Sequence, residues 1–367
     1  MSVKAGNKAL LKREIKEFFI LRPQTRHWSI PILAAISIGT PLFIGLWLNK
    51  LNSALTISFA ALVILYTPVK SNLINRMGKL LTCSFGFLMS YTIGLLFSFN
   101  PIVSALVLGI LSGIIHYLTL WLKLSPPGNF FFIMLAAMGS GMPFNPDLIP
   151  EHVGLIAIGT MTACIFALIY SWFIPSNNLL QNQYDILAIA KNKNFTDHVE
   201  AFIVGLFIFI AMLAGHLFGL EKPYWVPVSC IAVMQGVTIQ HIWRRGFYRV
   251  TGTFIGMTLC WIILSLVNTP LSLCIIIIIL QYIVEVFVTR NYALAVLFIT
   301  PMAILLIEAG SPIAQNPTTL ISIRMLDVLI GSFIGAIGGW FVHNEKIRYK
   351  ATRRLRIARL LLEKKKF

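Results

Sequence analysis

Residues Pro223–Gly256 read PYWVPVSCIAVMQGVTIQHIWRRGFYRVTGTFIG, and the fold can be worked out from this stretch. It opens as an apolar run headed by two aromatic residues and continues through a compact basic turn from Arg244 to Arg249. It ends in a second apolar run marked by glycines. Apolar runs bounded by basic residues are typical of membrane helices. The stretch therefore predicts two membrane helices joined by a short cationic loop.

The composition of the whole chain indicates a membrane protein. Of its 367 residues, 57% are hydrophobic and 12% are charged, so the apolar surface exceeds what one soluble core could bury. The formal net charge is +17, but the basic residues lie at the ends of apolar runs and in both terminal segments rather than along one polar stripe. We therefore expect a lipid bilayer around the protein and no nucleic-acid partner.

The apolar runs form two sets of six. They cover residues 28–49, 53–69, 80–98, 101–122, 128–145 and 152–174, then 199–219, 224–242, 250–268, 270–288, 292–308 and 322–342. Several approach the ~20 residues that cross a bilayer. Runs 53–69 and 128–145 are short, and whether they cross fully is left open. The pattern predicts an all-α polytopic fold with about 12 transmembrane helices.

The two sets of runs resemble each other. A shift of about 170 positions places Gly86 on Gly256, Lys79 on Arg249 and Pro101 beside Pro270. We interpret the halves as repeats, and six spans in each half make them parallel. The predicted units are a basic amphipathic segment at 1–27, repeats at 28–174 and 198–343, a linker at 175–197 and a basic tail at 344–367.

The basic residues predict the orientation of the chain. With a cytoplasmic N-terminus, one membrane face receives both basic terminal segments and most of the remaining cations, as the positive-inside rule requires. That face takes Lys70, Arg76, Lys79, Lys123, Lys191, Lys193, Arg244, Arg245, Arg249 and Arg290, and the opposite face takes Lys50, Lys222 and Arg324. Both termini and the linker are therefore predicted to be cytoplasmic.

A basic stripe is the first candidate site. Arg245, Arg249, Gly252 and Gly256 follow at intervals of four, three and four, so a continuous helix would place them on one face. Together with Arg244 and Lys79, the arginines would form a cationic mouth for organic anions, because arginine binds carboxylates with two hydrogen bonds. The alternative is that these cations set the topology and contact lipid headgroups.

Two ionisable residues inside spans are candidates for proton coupling. His116 and Glu285 lie in the fourth run of each half at nearly equivalent positions. Ionisable groups within a membrane commonly face a cavity or relay protons. The alternative for His116 is a neutral imidazole bonded to a carbonyl. The alternative for Glu285 is a carboxylate that pairs with Arg290 or lies near the membrane interface.

Other residues in the runs have structural interpretations. Small residues four apart allow close helix contact, which we predict for Gly86, Gly252, Gly256, Gly331 and Gly335. Tyr224 and Trp225 fit an aromatic belt at headgroup depth. The sequence carries no recognisable catalytic, nucleotide-binding or metal motif, so we expect neither an enzyme nor a cofactor.

The quoted stretch also resembles a known family. Tyr224-Trp225 at the start of a run, followed by Arg249, Gly252-Thr253 and Gly256, resembles the fusaric acid resistance protein-like family, which is distantly similar to plant aluminium-activated malate transporters. The resemblance implies an aromatic acid exporter of the bacterial inner membrane, driven by the proton gradient, with Thr253 beside the arginines at the substrate.

The sequence is compatible with three functions. The first is proton-coupled export of aromatic carboxylic acids or related organic anions, and the second is a passive organic-anion channel. The third is a membrane scaffold or accessory subunit that transports nothing. Expected partners are the anion, anionic phospholipids, and either a second copy of the chain or a periplasmic accessory protein.

Overall fold

A computed structural model describes residues 20–21, 23, 26–69, 71–173, 195–267, 269–308, 317–346, 348–349 and 352–353. The predicted amphipathic segment 1–27, the linker 175–197 and the tail 344–367 therefore lie mostly outside the described residues. Lys70, Lys191 and Lys193 also lie outside them.

The described residues form twelve α-helices, and no strand occurs within these ranges. The first half contains α1 (Ser29–Trp47), α2 (Leu51–Ala60, continued by a 3-10 helix at Ala61–Tyr66), α3 (Leu73–Leu96), α4 (Pro101–Trp121), α5 (Phe130–Ser140) and α6 (Ile149–Phe173). The second contains α7 (Phe195–Leu217), α8 (Trp225–Met234), α9 (Ile239–Leu266), α10 (Pro270–Val288), α11 (Tyr292–Glu308) and α12 (Pro317–His343). This architecture confirms the predicted all-helical polytopic class.

The fourth helix of each half begins in the same way. The side chain of Asn100 accepts hydrogen bonds from the first turn of α4, and that of Thr269 does so for α10. Proline follows each cap, at a position that needs no backbone donor. Pro101 and Pro270 are 169 positions apart, and the same offset carries His116 onto Glu285.

The helices of the two halves pack in matching pairs. The first helix of each half packs on the fourth helix of the other, so α1 contacts α10 and α7 contacts α4. The second and fifth helices pair likewise, as α2 with α11 and α8 with α5. At one of these crossings, Gly109 and Gly205 bring the backbones of α4 and α7 into direct contact. These matching pairs support the interpretation of the halves as repeats.

Long and short helices occupy different layers. The eight longest, α1, α3, α4, α6, α7, α9, α10 and α12, are long and apolar enough to cross a membrane. They expose large apolar side chains such as Phe85, Ile110, Phe202, Phe254 and Phe333, as helices bordered by lipid do. The four shorter helices α2, α5, α8 and α11 lie between them, and all ten residues of α8 are buried.

The short helices are the second and fifth of each half. At ~1.5 Å per residue, the 11 residues of α5 extend only about half of the ~30 Å hydrocarbon layer. Run 224–242 was predicted as one span, but α8 ends at Met234 and α9 begins at Ile239. Interrupted segments at corresponding positions of two repeats are where transporters place their binding sites. A binding site is therefore expected at the centre of the bundle.

The predicted cationic loop is wrong. The turn between α8 and α9 spans residues 235–238, and Arg244, Arg245 and Arg249 lie in the first three turns of α9. The side chain of Thr238 caps this helix by accepting from His241 N. Helix α9 therefore carries its cations into the bundle instead of leaving them in a surface loop.

The glycines singled out from the sequence lie at helix crossings. A Cβ on Gly256 would come within 2.7 Å of Leu297 O on α11, and one on Gly86 within 2.6 Å of the Phe132 ring on α5. Gly252 lies against Val296 of α11, and Gly331 and Gly335 lie against the backbone of α8. The backbones approach closely because these residues lack side chains.

Candidate functional site

A cavity of about 240 Å³ lies among the short central helices. Side chains of both halves line it, from α2, α5 and α8–α12 and from the segment before α1. Its charged lining consists of four arginines and one carboxylate, namely Arg26, Arg245, Arg249, Arg324 and Glu285. Such an excess of cations among apolar walls favours a negatively charged ligand.

Arg249 is buried in this cavity, and no hydrogen-bond or ion-pair partner occurs for it among the described residues. Its side chain lies on α9, one turn from Arg245 and one turn from Thr253, and all three line the cavity. Arg249 is only 8% exposed, and its buried Nε has no hydrogen-bond acceptor among the described residues. A buried charge is costly unless an opposite charge or hydrogen-bond acceptors compensate it. A bound anion would supply both.

Arg245 is held in place by two neighbouring helices. Its Nε donates to Ala232 O of α8 at 3.1 Å, and its guanidinium lies 4.0 Å from the ring centroid of Tyr292 at the start of α11. The backbone acceptor and the aromatic face fix the guanidinium plane. Arg245 thus presents its remaining donors to the cavity in a defined orientation.

Trp225 and Arg324 form a stacked pair in the cavity wall. The guanidinium of Arg324 lies 3.3 Å from the Trp225 ring centroid, and Trp225 is 2% exposed. The predicted aromatic belt is therefore wrong, because Trp225 and its neighbour Tyr224 are both buried inside the bundle. Arg324 was assigned to the far membrane face, yet it too is buried. Its position near the start of an apolar run is the signal that could have placed it inside.

Glu285 pairs with an arginine of the other half. The guanidinium of Arg26, in the segment before α1, contacts the Glu285 carboxylate, and Gln281 Nε2 donates to Glu285 Oε1 at 3.2 Å. Glu285 is 3% exposed. The partner of Glu285 is therefore Arg26 and not Arg290. Arg26 belongs to the segment that was predicted to lie on the membrane surface. Asn291 Nδ2 helps to fix that segment by donating to Ile20 O at 3.0 Å.

His116 belongs to a separate polar chain that leads to the cavity. Its Nε2 lies 3.2 Å from Glu200 Oε1 on α7, and its Nδ1 lies 2.8 Å from Asn129 Nδ2. Gln235, which lines the cavity, donates to Asn129 Oδ1 at 3.4 Å and to Pro127 O at 3.1 Å. His116 therefore does not line the cavity, but the hydrogen-bonded side chains of Asn129 and Gln235 connect it to the cavity.

The contacts of His116 and Glu285 occupy corresponding positions in the two halves. His116, near the end of α4, contacts Glu200 at the beginning of α7, and Glu285, near the end of α10, contacts Arg26 just before α1. If successive helices run in opposite directions across the bundle, these contacts place the beginnings of α1 and α7 on the same side. This arrangement supports the interpretation of the halves as parallel repeats.

Replacing Asn129 by leucine should lower the stability of the protein. Asn129 is buried and joins His116 to Gln235, so its loss leaves two half-buried polar side chains each with one partner fewer. We expect unfolding to become easier by about 1–3 kcal/mol, seen as a lower melting temperature in detergent. Asn52→Leu is the control because Asn52 is exposed on α2, and an equal loss there would contradict the structural role of Asn129.

Two of the predicted substrate residues lie away from this cavity. Arg244 donates to the hydroxyl of Tyr248 one turn along α9, at 3.0 Å. Lys79 Nζ lies 3.3 Å from Ser125 Oγ and borders a separate groove of about 610 Å³ between α3 and α4. Of the five predicted substrate residues, the central cavity brings together Arg245, Arg249 and Thr253.

Comparison with known proteins finds a family match in the second half of the chain. Residues 210–338 match the profile of the family described as fusaric acid resistance protein-like. The family segment runs from within α7 to within α12 and contains Arg245, Arg249, Glu285 and Arg324. The resemblance noted at Tyr224–Gly256 is thereby confirmed for this half, whereas the aromatic acid exporter type stays a prediction.

A curated relative is also a membrane protein. The chain is 35% identical over 140 residues to an uncharacterized membrane protein of Bacillus subtilis (strain 168), YvaC. The match covers 38% of this chain and 22% of the relative, so the chain spans about a fifth of that protein's length. No solved structure shows a significant match. The helices, the family segment and this relative together make the chain a multi-pass membrane protein.

Proposed function

We propose that this protein transports organic anions across a membrane through the central cavity. Arg249 carries the proposal, because it is a buried cation without a described protein partner, in a cavity that also contains Arg26, Arg245 and Arg324. An anion bound there compensates the desolvated charge and accepts hydrogen bonds that no described side chain accepts.

The cavity walls suggest the substrate class. Phe130, Phe131, Trp225 and Tyr292 contribute aromatic faces, and the arginines contribute paired donors. This combination suits an aromatic carboxylic acid, which agrees with the family of segment 210–338. We place the protein in a bacterial inner membrane with both termini in the cytoplasm, and we assign export and proton coupling at Glu285 and His116 as further parts of the proposal.

Transport of a charged probe tests this proposal. Purified protein in liposomes should transport benzenesulfonate well above protein-free liposomes and should not transport phenyltrimethylammonium, an aromatic cation that the arginines repel. Uptake is followed by radiolabel or mass spectrometry with and without an imposed pH gradient. Transport of both ions, or of neither, would contradict anion transport, and the second outcome would support an accessory protein.

A passive channel gives a different result in the same liposomes. A channel would carry currents driven by voltage alone, and these would persist when the pH is equal on both sides. A coupled carrier instead shows uptake that changes with the pH gradient.

A further inference from the structure

Glu285 is the resident negative charge of a cationic cavity. Its carboxylate contacts Arg26 from the segment before α1 and accepts from Gln281 on its own helix. The other charged groups that line the cavity are arginines, two on α9 and one on α12, and Tyr292 of α11 is the remaining titratable lining residue. The charges around Glu285 are therefore all positive among the described lining residues.

A ligand anion and the Glu285 carboxylate compete for the guanidinium of Arg26. While Glu285 is ionised, its charge repels the ligand, and the ion pair occupies donors of Arg26. When Glu285 takes up a proton, the repulsion ends and Arg26 can turn its donors to the ligand. The proton comes from solvent and stays on a Glu285 oxygen.

We infer that Glu285 is a counter-anion that competes with the bound ligand for Arg26, so that a proton on Glu285 and an anion in the cavity bind together instead of in exchange. This inference rests on the proposed function. Because coupling is reciprocal, anion binding must raise proton uptake as much as protonation raises anion affinity. One proton carried with a monoanion makes the step electroneutral, so export by this route requires an outward anion gradient larger than the inward proton gradient.

Proton uptake on ligand binding tests the sign of this coupling. Benzenesulfonate is a suitable probe because a sulfonate keeps its charge across the working pH range. Full-length protein in lipid nanodiscs is titrated at pH 5 to 9 by calorimetry in buffers of different ionisation enthalpy. We expect up to about one proton taken up per anion and an affinity that rises by up to about tenfold for each pH unit lowered. Proton release, or binding without any proton exchange at every pH, would overturn the inference.

Two substitutions locate the coupling. Glu285→Gln should bind benzenesulfonate about tenfold more tightly at high pH, within the usual range of coupling between two sites, and should take up no proton. In an Arg26→Gln background the same substitution should change affinity less than in the unmodified protein, because the contested cation is absent and only the direct repulsion of the ligand is relieved. Glu151→Gln is the control, since Glu151 is exposed at the start of α6 and does not line the cavity, so proton uptake should persist there.

The outcomes separate this inference from the proposed function. Absence of benzenesulfonate binding to the unmodified protein at every pH would contradict both. Binding that requires Arg249 but keeps its pH dependence in Glu285→Gln would contradict the counter-anion role alone. The calorimetric experiment on the unmodified protein decides the sign even if a variant fails to fold.

Discussion

Arg249→Gln should lower the initial rate of benzenesulfonate transport by about 30-fold to 4,000-fold, because removing one partner of a buried charge pair costs about 2–5 kcal/mol. Glutamine keeps much of the side chain's length and hydrogen-bonding capacity but loses the charge that the ligand would compensate. The rate is measured per reconstituted protein in liposomes. This loss is the largest functional effect that we expect from one substitution.

The same helix supplies the control. Arg244→Gln removes a cation that is next to Arg245 on α9 but does not line the cavity, and whose guanidinium bonds to Tyr248. We expect its rate to stay within about twofold of the unmodified protein, since this guanidinium does not contact the proposed ligand site. Equal losses of transport rate in both variants would show that the total charge of α9, rather than the position of Arg249 in the cavity, controls transport. The melting temperature of Arg249→Gln should be unchanged or higher, because an uncompensated buried charge has been removed.

Gly335→Leu should prevent stable folding. A Cβ at Gly335 would already lie 2.5 Å from Cys230 O and 2.9 Å from its Cα on α8, and neither backbone atom can turn away. We expect a loss of more than about 3 kcal/mol, the upper range for overpacking, seen as aggregated or absent protein after detergent extraction.

Gly154→Leu is the comparison for this substitution. Gly154 lies on α6, and a Cβ added there would have no neighbouring side chain or facing helix within 4 Å, so leucine meets open space. We expect a monodisperse protein with an unchanged or higher melting temperature, because leucine favours helix over glycine by up to about 1 kcal/mol. If both variants folded equally well, close packing of α12 on α8 would not limit the fold.

The helical class and the two repeats could be predicted because each depends on local pattern. Apolar length marks a span, and the shared order of runs marks a duplication. The ends of helices were harder to predict, since residues 224–242 are mostly apolar and only the turn at 235–238 divides them. Apolarity shows that a segment avoids water, but it does not distinguish lipid from a protein interior as its surroundings.

The same limit explains which site residues were found. Arg245 and Arg249 follow from helical spacing along a single element, and Glu285 follows from its isolation in an apolar run. Arg26 and Arg324 come from distant elements, so no spacing could place them at the cavity. Trp225 was assigned to the lipid interface because aromatic residues favour both settings, and only the packing of Arg324 on its ring distinguishes them.

The two ion pairs between the halves have opposite polarity, and this restricts how such halves can assemble. The fourth helix offers a histidine in the first half and an acid in the second, and each meets its complement in the other half. Two copies of the first half would oppose His116 to Arg26, and two copies of the second would oppose Glu285 to Glu200. Two copies of the same half would therefore pair poorly with each other. The opposite polarity therefore favours pairing between the two unlike halves over pairing between two like halves.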